Sequence, residues 1–247
     1  MSILETKGLC KDYGTGNILT NVDLKVERGE YVAVMGQSGC GKSTLLYCIS
    51  GMDQPSSGER FFDGKNLEKA TEKQMQELRL QKMGFVFQKT SFLKNLSIID
   101  NIVYPAFQLG KEKRGDIVRR AKELMREMGI DHIAEHDIYK VSGGQLQRAA
   151  ICRAMINQPE ILFGDELTGA LNSSSTRDVC GMIDQINRKG TTVLLVTHDA
   201  KVAVHADRIV YLEDGRILDE LVLGKYEEEK AQERTFQMDA WLKKMHF

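Results

Sequence analysis

The chain has 247 residues, of which 42% are hydrophobic and 28% are charged. These values are typical of a folded globular protein with one or two domains, and they exclude a chain that is mostly disordered. Its 34 basic and 35 acidic residues leave a net charge of -1, which excludes a general electrostatic attraction to nucleic acid or acidic lipid.

Two absences in the sequence also restrict its function. No apolar run reaches the roughly 20 residues that span a bilayer, and the N-terminal segment MSILETKGLCKDYG lacks a basic region followed by a hydrophobic signal core. We therefore expect a cytoplasmic protein. The five cysteines are scattered and form no C-x-x-C pair, so the sequence predicts neither a disulfide framework nor a structural zinc site.

The first third of the chain predicts antiparallel strands, followed by a strand, a loop and a helix. Apolar and polar residues alternate in ILETKGL, NILTNVDLKV and ERFFDGKNL, and turn-forming residues bound each run. The segment EYVAVMG is almost continuously apolar, which is typical of a buried strand, and KSTLLYCISG after it favours a helix. GFVFQ predicts one more short strand.

The rest of the chain combines helices with buried strands. Helix formers dominate residues 89–158, which we expect to form a helical subdomain. The apolar runs EILFGDE and TTVLLVTHD flank a predicted helix ending at Gly190, an order typical of a parallel sheet in an α/β protein. RIVYLEDGRILDELVL predicts a hairpin with an Asp-Gly turn, and the charged tail that follows has a helical composition.

A glycine-rich segment between a predicted strand and helix carries the first motif. GQSGCGKS matches the phosphate-binding pattern G-x-x-x-x-G-K-[ST] in the context that this pattern requires. Backbone N–H groups of such a loop surround phosphate oxygens, the lysine pairs with the terminal phosphates, and Ser43 can ligate Mg²⁺. The alternative is an ordinary glycine-rich turn. The predicted nucleotide-binding residues are Gly36, Gln37, Ser38, Gly39, Cys40, Gly41, Lys42, Ser43 and Thr44.

Polar residues at three other strand ends predict the catalytic chemistry. Asp165 and Glu166 end an apolar strand, where a buried carboxylate is costly without a cation or hydrogen-bond donors. Asp165 is the expected Mg²⁺ ligand and Glu166 the residue that polarises the attacking water. His198 and Gln88 end two further strands, which open on the same edge if the sheet is parallel. Taken alone, the two carboxylates are equally compatible with solvated strand-end acids, and a lone His198 or Gln88 is usually just a polar strand terminus.

The segment Ser142-Gly143-Gly144-Gln145 immediately precedes another predicted helix. By itself it is interpreted as a helix N-cap with a flexible entry. It is also a second helix N-terminus suited to an anion. Because the glycine-rich loop already holds the phosphates, this second cradle has nothing left to bind in the same subunit.

In this combination and order, the motifs resemble the ATP-binding-cassette (ABC) family over almost the whole chain. The resemblance implies a P-loop NTPase of the α/β class, with a RecA-like mixed sheet core, an N-terminal antiparallel β subdomain and an inserted α-helical subdomain. It places the core at residues 1–88 and 159–225, the helical subdomain at 89–158 and a helical tail at 226–247.

The resemblance also implies roles for individual residues. Tyr13 looks like the aromatic residue that stacks on adenine, and His198 looks like the switch histidine. Gln88 looks like the Q-loop glutamine, expected among both the catalytic residues and the metal ligands. Ser142 to Gln145 looks like the signature that covers the γ-phosphate held by the other subunit. ATP and Mg²⁺ are then the expected cofactors, and a head-to-tail homodimer is the expected hydrolytic form.

A finer resemblance connects the chain to one group of transporters. FVFQ, SIIDNIVYPAF and ELTGALN are similar to the small cassettes of lipoprotein-releasing, macrolide-export and bacitracin-type peptide-resistance transporters. This implies a transmembrane permease on a separate chain, which would supply the only membrane contact at the inner face of the cell membrane, and no nucleic-acid partner. The apolar stripe is interpreted as core, with a permease groove as the alternative: Ile98, Ile99, Ile102, Val103 and Phe107.

The sequence departs from the family pattern at three positions. Leu167 follows the catalytic glutamate where the family commonly has proline, and Val141 replaces the usual leucine before the signature serine. Asn172 stands where the following loop usually ends in aspartate. It keeps the hydrogen-bonding shape without the charge, so we expect weaker communication between the two sites rather than weaker ATP binding.

Two weaker features carry hypotheses of their own. Cys40 lies at a helix N-terminus beside Lys42, conditions that can lower a thiol pKa, so oxidation-sensitive activity is one hypothesis and a tolerated small residue the other. Apolar residues of the tail recur at helical spacing, which favours packing on the chain's own body over a partner-binding helix. These residues are Met238, Trp241, Leu242 and Met245.

Two other function classes stay open on the sequence. A soluble cassette protein of DNA repair, chromosome organisation or translation is disfavoured because the sequence has no long coiled-coil insertion, no second cassette, no zinc-type cysteine spacing and no basic excess. A regulatory cassette with little hydrolysis is disfavoured by Glu166 and His198, whereas Asn172 favours it.

Overall fold

The computed structural model describes residues 1–14, 16–169 and 171–245, and within them the chain forms two β-sheets and eight α-helices. The strands are β1 (Ser2–Asp12), β2 (Asn17–Glu27), β3 (Tyr31–Met35), β4 (Ser57–Phe62), β5 (Lys65–Asn66), β6 (Met83–Phe87), β7 (Ile161–Asp165), β8 (Thr192–Val196), β9 (Arg208–Glu213) and β10 (Arg216–Val222). The helices are α1 (Lys42–Ile49), α2 (Glu72–Lys82), α3 (Ile98–Leu109), α4 (Arg114–Glu127), α5 (Gly143–Met155), α6 (Ser173–Arg188), α7 (Ala200–Ala203) and α8 (Ala231–Lys244).

The smaller, antiparallel sheet has the strand order β2-β1-β4-β5. In β2 the buried residues Val22, Leu24 and Val26 alternate with the exposed Asp23 and Lys25. This is the period of two that a strand with one buried face requires. The antiparallel strands predicted in the first third of the chain are therefore confirmed.

The larger, mixed sheet has the strand order β10-β9-β3-β8-β7-β6. Its strands are parallel except β10, which pairs antiparallel with β9. Every residue of β3, β7 and β8 is buried, which explains their continuous apolar sequences. Because the strands are parallel, the carboxyl ends of β3, β8, β7 and β6 lie at one edge of the sheet. The predicted hairpin is also confirmed: Asp214 and Gly215 join β9 to β10 with φ of 44° and 72°.

Helices α3, α4 and α5 occupy the segment between β6 and β7 that the sequence predicts to be helical. Ile98, Ile99, Ile102 and Val103 of α3 are at most 7% exposed, so these four belong to the core, whereas Phe107 is 36% exposed. Helix α2 was not predicted. Of its residues only Met75 is buried, so its apolar periodicity is too weak to read from the sequence.

The tail helix α8 packs on the mixed sheet, as the spacing of its apolar residues favours. Met238, Trp241 and Leu242 are buried, and Met245 is half-buried. The indole N–H of Trp241 donates to Asp219 Oδ2 on β10 at 2.8 Å. The tail is thus part of the folded body.

Two apolar clusters cover the two faces of the mixed sheet. One contains Tyr31, Ala33 and Met35 of β3 together with residues of α3 to α6 and α8, and the other contains Val32 and Val34 together with α1 and the antiparallel sheet. The domain bounds at residues 88 and 159 stay a prediction. In the part of the chain that the structure describes, we find no helix with the length and apolarity that a bilayer crossing needs.

Candidate functional site

The glycine-rich loop lies between β3 and α1 at the carboxyl edge of the mixed sheet. Gly36 has φ of 153°, and a Cβ added there would lie 2.1 Å from the carbonyl oxygen of Leu212. Only glycine fits this position. Gly41 precedes α1 with a left-handed φ of 103°, so the loop turns sharply into the helix N-terminus, where free N–H groups favour an anion.

The environment of Lys42 fits a phosphate ligand. Its side chain is 8% exposed, and Nζ donates to the carbonyl oxygens of Gly36 and Gln37 at 2.9 and 2.8 Å. No carboxylate within the described residues forms an ion pair with it. A buried ammonium that lacks a counter-charge is costly, and a phosphate in the loop would supply that charge. Gln37, Ser38 and Gly39 are exposed, whereas Thr44 is half-buried.

Asp165 is held by two hydroxyl groups of α1. Ser43 Oγ donates to Asp165 Oδ1 at 2.9 Å, and the hydroxyl of Tyr47 donates to Asp165 Oδ2 at 2.8 Å. Burial, together with the hydrogen bond to Asp165, raises the pKa of Tyr47 to about 12. The sequence reasoning missed Tyr47, although its position one helical turn after Ser43 puts both side chains on the same face of α1.

The Ser43 hydroxyl and the Asp165 carboxylate suit Mg²⁺, a hard cation that prefers oxygen ligands. Across the residues described, no cluster of three or more His, Cys, Asp or Glu side chains could hold a metal. A Mg²⁺ at this edge would therefore need the Ser43 hydroxyl and the predicted ligand Gln88 besides the Asp165 carboxylate, together with oxygens of the nucleotide.

Glu166 and His198 lie within hydrogen-bonding distance of each other. Glu166 Oε1 and His198 Nδ1 are 2.8 Å apart, with side chains 17% and 63% exposed respectively. The backbone N–H of Glu166 donates to the carbonyl oxygen of Val196 at the end of β8. Its φ of 50° is left-handed, a conformation that costs a non-glycine residue about 1–3 kcal/mol. The fold therefore fixes this carboxylate beside His198.

Gln88 and Tyr13 approach this edge from two further segments. Gln88 follows β6 and is exposed, and its Nε2 would lie 2.8 Å from a Cβ added to Gly169, in the turn after Glu166. The ring of Tyr13 is exposed, and its hydroxyl donates to Asp53 Oδ2 at 2.5 Å. That hydrogen bond, with burial, raises the pKa of Tyr13 to about 12. The tyrosine is thus held by its hydroxyl and by the Lys11 ammonium, which lies 4.5 Å from the ring centroid over one face of the ring.

The Ser142–Gln145 segment forms the N-terminus of α5. Ser142 Oγ accepts from the N–H of Gln145, and Gln145 Oε1 accepts from the N–H of Ser142, which is a capping box. The Gln145 amide also lies 3.4 Å from His132 Nε2, and Gly144 faces Ser175 of α6. Within the described part of the chain, its hydrogen bonds do not reach the glycine-rich loop.

The structure contradicts one expectation, that for Cys40, and gives the surroundings of two other residues, while the weaker communication expected from Asn172 stays a prediction. The expectation of a lowered pKa for Cys40 is wrong: the side chain is 8% exposed, and its burial raises the thiol pKa, which the nearby Lys42 ammonium only partly offsets. Asn172 caps α6 by accepting from the N–H of Ser175 at 2.9 Å. Leu167 is buried in the core.

The fold and the residues at the carboxyl edge of the mixed sheet define a P-loop nucleoside triphosphatase. The family model described as "ABC transporter" matches residues 19–169. The chain is 39% identical over 224 residues to the macrolide export ATP-binding/permease protein MacB of Mannheimia succiniciproducens, covering 89% of this chain and 35% of that protein. It is 40% identical over 228 residues to MacB of Campylobacter jejuni, covering 92% and 35% respectively. The chain thus spans about a third of the length of these curated relatives.

The comparison with solved structures agrees. The dimeric post-hydrolysis state of the ATP-binding cassette MJ0796 bound to ADP and Pi superposes with a TM-score of 0.84 at 34% identity, covering 90% of this chain and all of that one. CbiO1 of Clostridium perfringens, part of the transporter complex cbiONQ, gives a TM-score of 0.82 at 26% identity, covering 96% and 94%. The chain belongs to the ABC transporter family, as one of its ATP-hydrolysing cassettes.

Proposed function

We propose that this chain binds Mg-ATP at the edge just described and hydrolyses it between two copies of itself to drive a transmembrane permease. The observation that carries the proposal is the convergence of four strand ends. Lys42 and Ser43 lie in the loop and helix after β3, Gln88 follows β6, Asp165 ends β7 with Glu166 after it, and His198 follows β8. An isolated glycine-rich turn would not bring these groups together.

Each group has a separate role in the proposed reaction. The loop N–H groups and Lys42 bind the β- and γ-phosphates. Glu166 accepts a proton from the attacking water, and His198, 2.8 Å from that carboxylate, orients it. Ser43, Asp165 and Gln88 would hold Mg²⁺, directly or through water, and the ion when bound neutralises charge on the phosphates.

The proposed two-copy arrangement explains the second anion-ready helix N-terminus. Ser142 and Gly143 are exposed, and the segment's hydrogen bonds do not lead to its own subunit's phosphate loop. The MJ0796 cassette, whose whole length superposes on 90% of this chain, is described as a dimer bound to ADP and Pi. We infer that Ser142 to Gln145 of one copy covers the γ-phosphate bound by the other.

A groove of about 700 Å³ on the helical side is the proposed permease contact. Its floor is apolar, with Met52, Phe85, Phe87 and Pro105, and arginine side chains from α2 and α5 also line it. This lining suits a short amphipathic helix. The relatives named ATP-binding/permease proteins support such a partner, and we propose that it is a separate chain that holds the cassette at the cytoplasmic face of the membrane.

The proposed transport class is export or release of the kind carried out by macrolide, peptide-resistance and lipoprotein transporters. The similarity to the MacB proteins supports this branch. The transported molecule would contact the permease rather than this chain, so no residue described here selects it.

Glu166→Gln tests the proposed reaction. The variant keeps the shape of the side chain but cannot accept a proton, so we expect ATP hydrolysis to fall about 100-fold or more while Mg-ATP binding persists. We also expect the variant to accumulate as a nucleotide-bound dimer, measured by light scattering during size-exclusion chromatography. The matched control is Glu123→Gln, because Glu123 is exposed on α4.

Two results would contradict the proposal separately. Hydrolysis by Glu166→Gln at the rate of the control would show that Glu166 is not the base. A variant that binds Mg-ATP but stays monomeric, with or without its permease, would show that the two-copy arrangement is wrong.

A further inference from the structure

Tyr47 binds the oxygen of the metal-side carboxylate that Ser43 leaves free. Its hydroxyl donates to Asp165 Oδ2 at 2.8 Å, while Ser43 occupies Oδ1 at 2.9 Å. Asp165 is 8% exposed, so few solvent positions are left to satisfy Oδ2. Losing the Tyr47 hydroxyl would leave that oxygen without a donor and free the carboxylate to rotate about its terminal bond.

The ring of Tyr47 is itself fixed by the aromatic residues of β6. It packs edge-on against Phe87, with ring centroids 6.2 Å apart and an interplanar angle of 61°. Phe87 stacks on Phe85 at 6.1 Å, and Phe85 stacks on Phe163 of β7 at 5.3 Å. Such contacts favour defined ring orientations, so the Tyr47 hydroxyl has little freedom to leave Asp165.

These contacts also connect two parts of the molecule. Phe85 and Phe87 line the groove of about 700 Å³, and Gln88 follows directly on Phe87. Tyr47 therefore contacts Phe87, which lines this groove, with its ring and Asp165 with its hydroxyl. A shift of Phe87 on occupation of the groove would act on the Tyr47 ring and through its hydroxyl on Asp165.

We propose that Tyr47 is a positioning residue that orients Asp165 toward Mg²⁺, with its ring held in place by Phe87. The proposal depends on the proposed function, in which Asp165 faces the metal. Outer-shell partners of metal ligands set ligand orientation, and their loss commonly costs 10–100-fold in metal affinity. Tyr47 is half-buried beside the site, so we expect an effect near the lower end of that range.

The test is a binding experiment on the full chain. The affinity for a fluorescent non-hydrolysable ATP analogue is measured with saturating Mg²⁺ and again with EDTA, and their ratio gives the contribution of the metal. Tyr47→Phe keeps the ring and removes the hydroxyl. We expect the ratio to fall about tenfold, with the affinity in EDTA unchanged. Phe87→Leu should also lower the ratio, by a smaller factor than Tyr47→Phe does.

Tyr31→Phe is the matched control, because the buried Tyr31 hydroxyl forms no hydrogen bond within the described residues. This variant should keep the wild-type ratio. An unchanged ratio in Tyr47→Phe would overturn the proposal, and so would an equal loss of affinity in EDTA, since that marks general damage to the site. An unchanged ratio in Phe87→Leu would show that Phe87 does not hold the Tyr47 ring in place. If the wild type itself gains nothing from Mg²⁺, the metal assignment of the proposed function fails instead.

Discussion

Replacing Arg234 by methionine should weaken the docking of the tail helix on the body. Arg234 is 4% exposed in α8, and its guanidinium donates to backbone carbonyl groups rather than to a carboxylate. Burial lowers the pKa of this guanidinium, but arginine remains charged in proteins. The acceptors are the carbonyl oxygens of Val204, Ala206, Leu223, Gly224 and Lys225, at 3.0, 2.7, 2.9, 2.9 and 3.3 Å.

The magnitude follows from the two most buried of these hydrogen bonds. Those to Val204 and Ala206 are buried at both ends, and a buried carbonyl that loses its partner costs about 1–3 kcal/mol. Methionine keeps most of the apolar stem and removes the cost of burying a charge, which offsets part of the loss. We expect the docking of α8 to weaken by about 3 kcal/mol.

Trp241 makes this change directly measurable. It is the single tryptophan of the sequence, it is 7% exposed in α8, and its ring packs against Tyr211 at 6.0 Å. Urea unfolding is followed by tryptophan fluorescence and by far-ultraviolet circular dichroism. In Arg234→Met the fluorescence transition should move to lower urea and precede the loss of helix signal, because the tail leaves first.

Lys243→Met is the control, since it removes a cation from the same helix at an exposed position. It should shift both transitions by no more than a few tenths of a kcal/mol, as expected for a charge near a helix C-terminus. If Arg234→Met gives coincident transitions at the midpoint of this control, the buried carbonyl groups do not hold the tail in place.

Two further predictions concern residues at which the sequence suggested altered chemistry. Alkylation of Cys40 at pH 8 should be slower than that of free cysteine and should keep accelerating above pH 9, because burial raises the thiol pKa and lowers the thiolate fraction. Mass spectrometry of the labelled peptide measures the rate. Faster labelling of Cys40 than of the free amino acid would contradict the prediction. Asn172→Ala should lower the free energy of unfolding by about 1 kcal/mol, because the α6 cap is lost. Asn172→Asp should change that free energy by less than about 0.5 kcal/mol. A comparable loss in both variants would show that the cap is not the cause.

The strand ends of the site could be predicted because one-dimensional patterns determine them. The strands β3, β7 and β8 that lead to Lys42, Asp165 and His198 are almost entirely apolar, and only strands buried on both faces require that composition. Once these strands are parallel, their carboxyl ends must share an edge. The prediction therefore needed the type of sheet but not its strand order.

Residues whose roles depend on packing could not be found in this way. The spacing from Ser43 puts Tyr47 on the same face of α1, but only the structure shows that its hydroxyl reaches Asp165 and that its ring packs against Phe87. Arg234 likewise looks like a solvated charge on a helix, since most arginines are exposed. Its role comes from five carbonyl groups of distant segments, and backbone atoms leave no pattern in the sequence.

Leu167 shows how a departure from the family pattern is accommodated locally. A proline after Glu166 would restrict that glutamate toward extended backbone, whereas Glu166 here has φ of 50°. Leu167 is 4% exposed and lies over Gly164, where an added Cβ would approach its Cγ to 2.9 Å. The glycine in β7 thus makes room for the leucine. Because burial of Leu167 holds the turn, the Glu166 carboxylate keeps its place beside His198 through packing rather than through a proline ring.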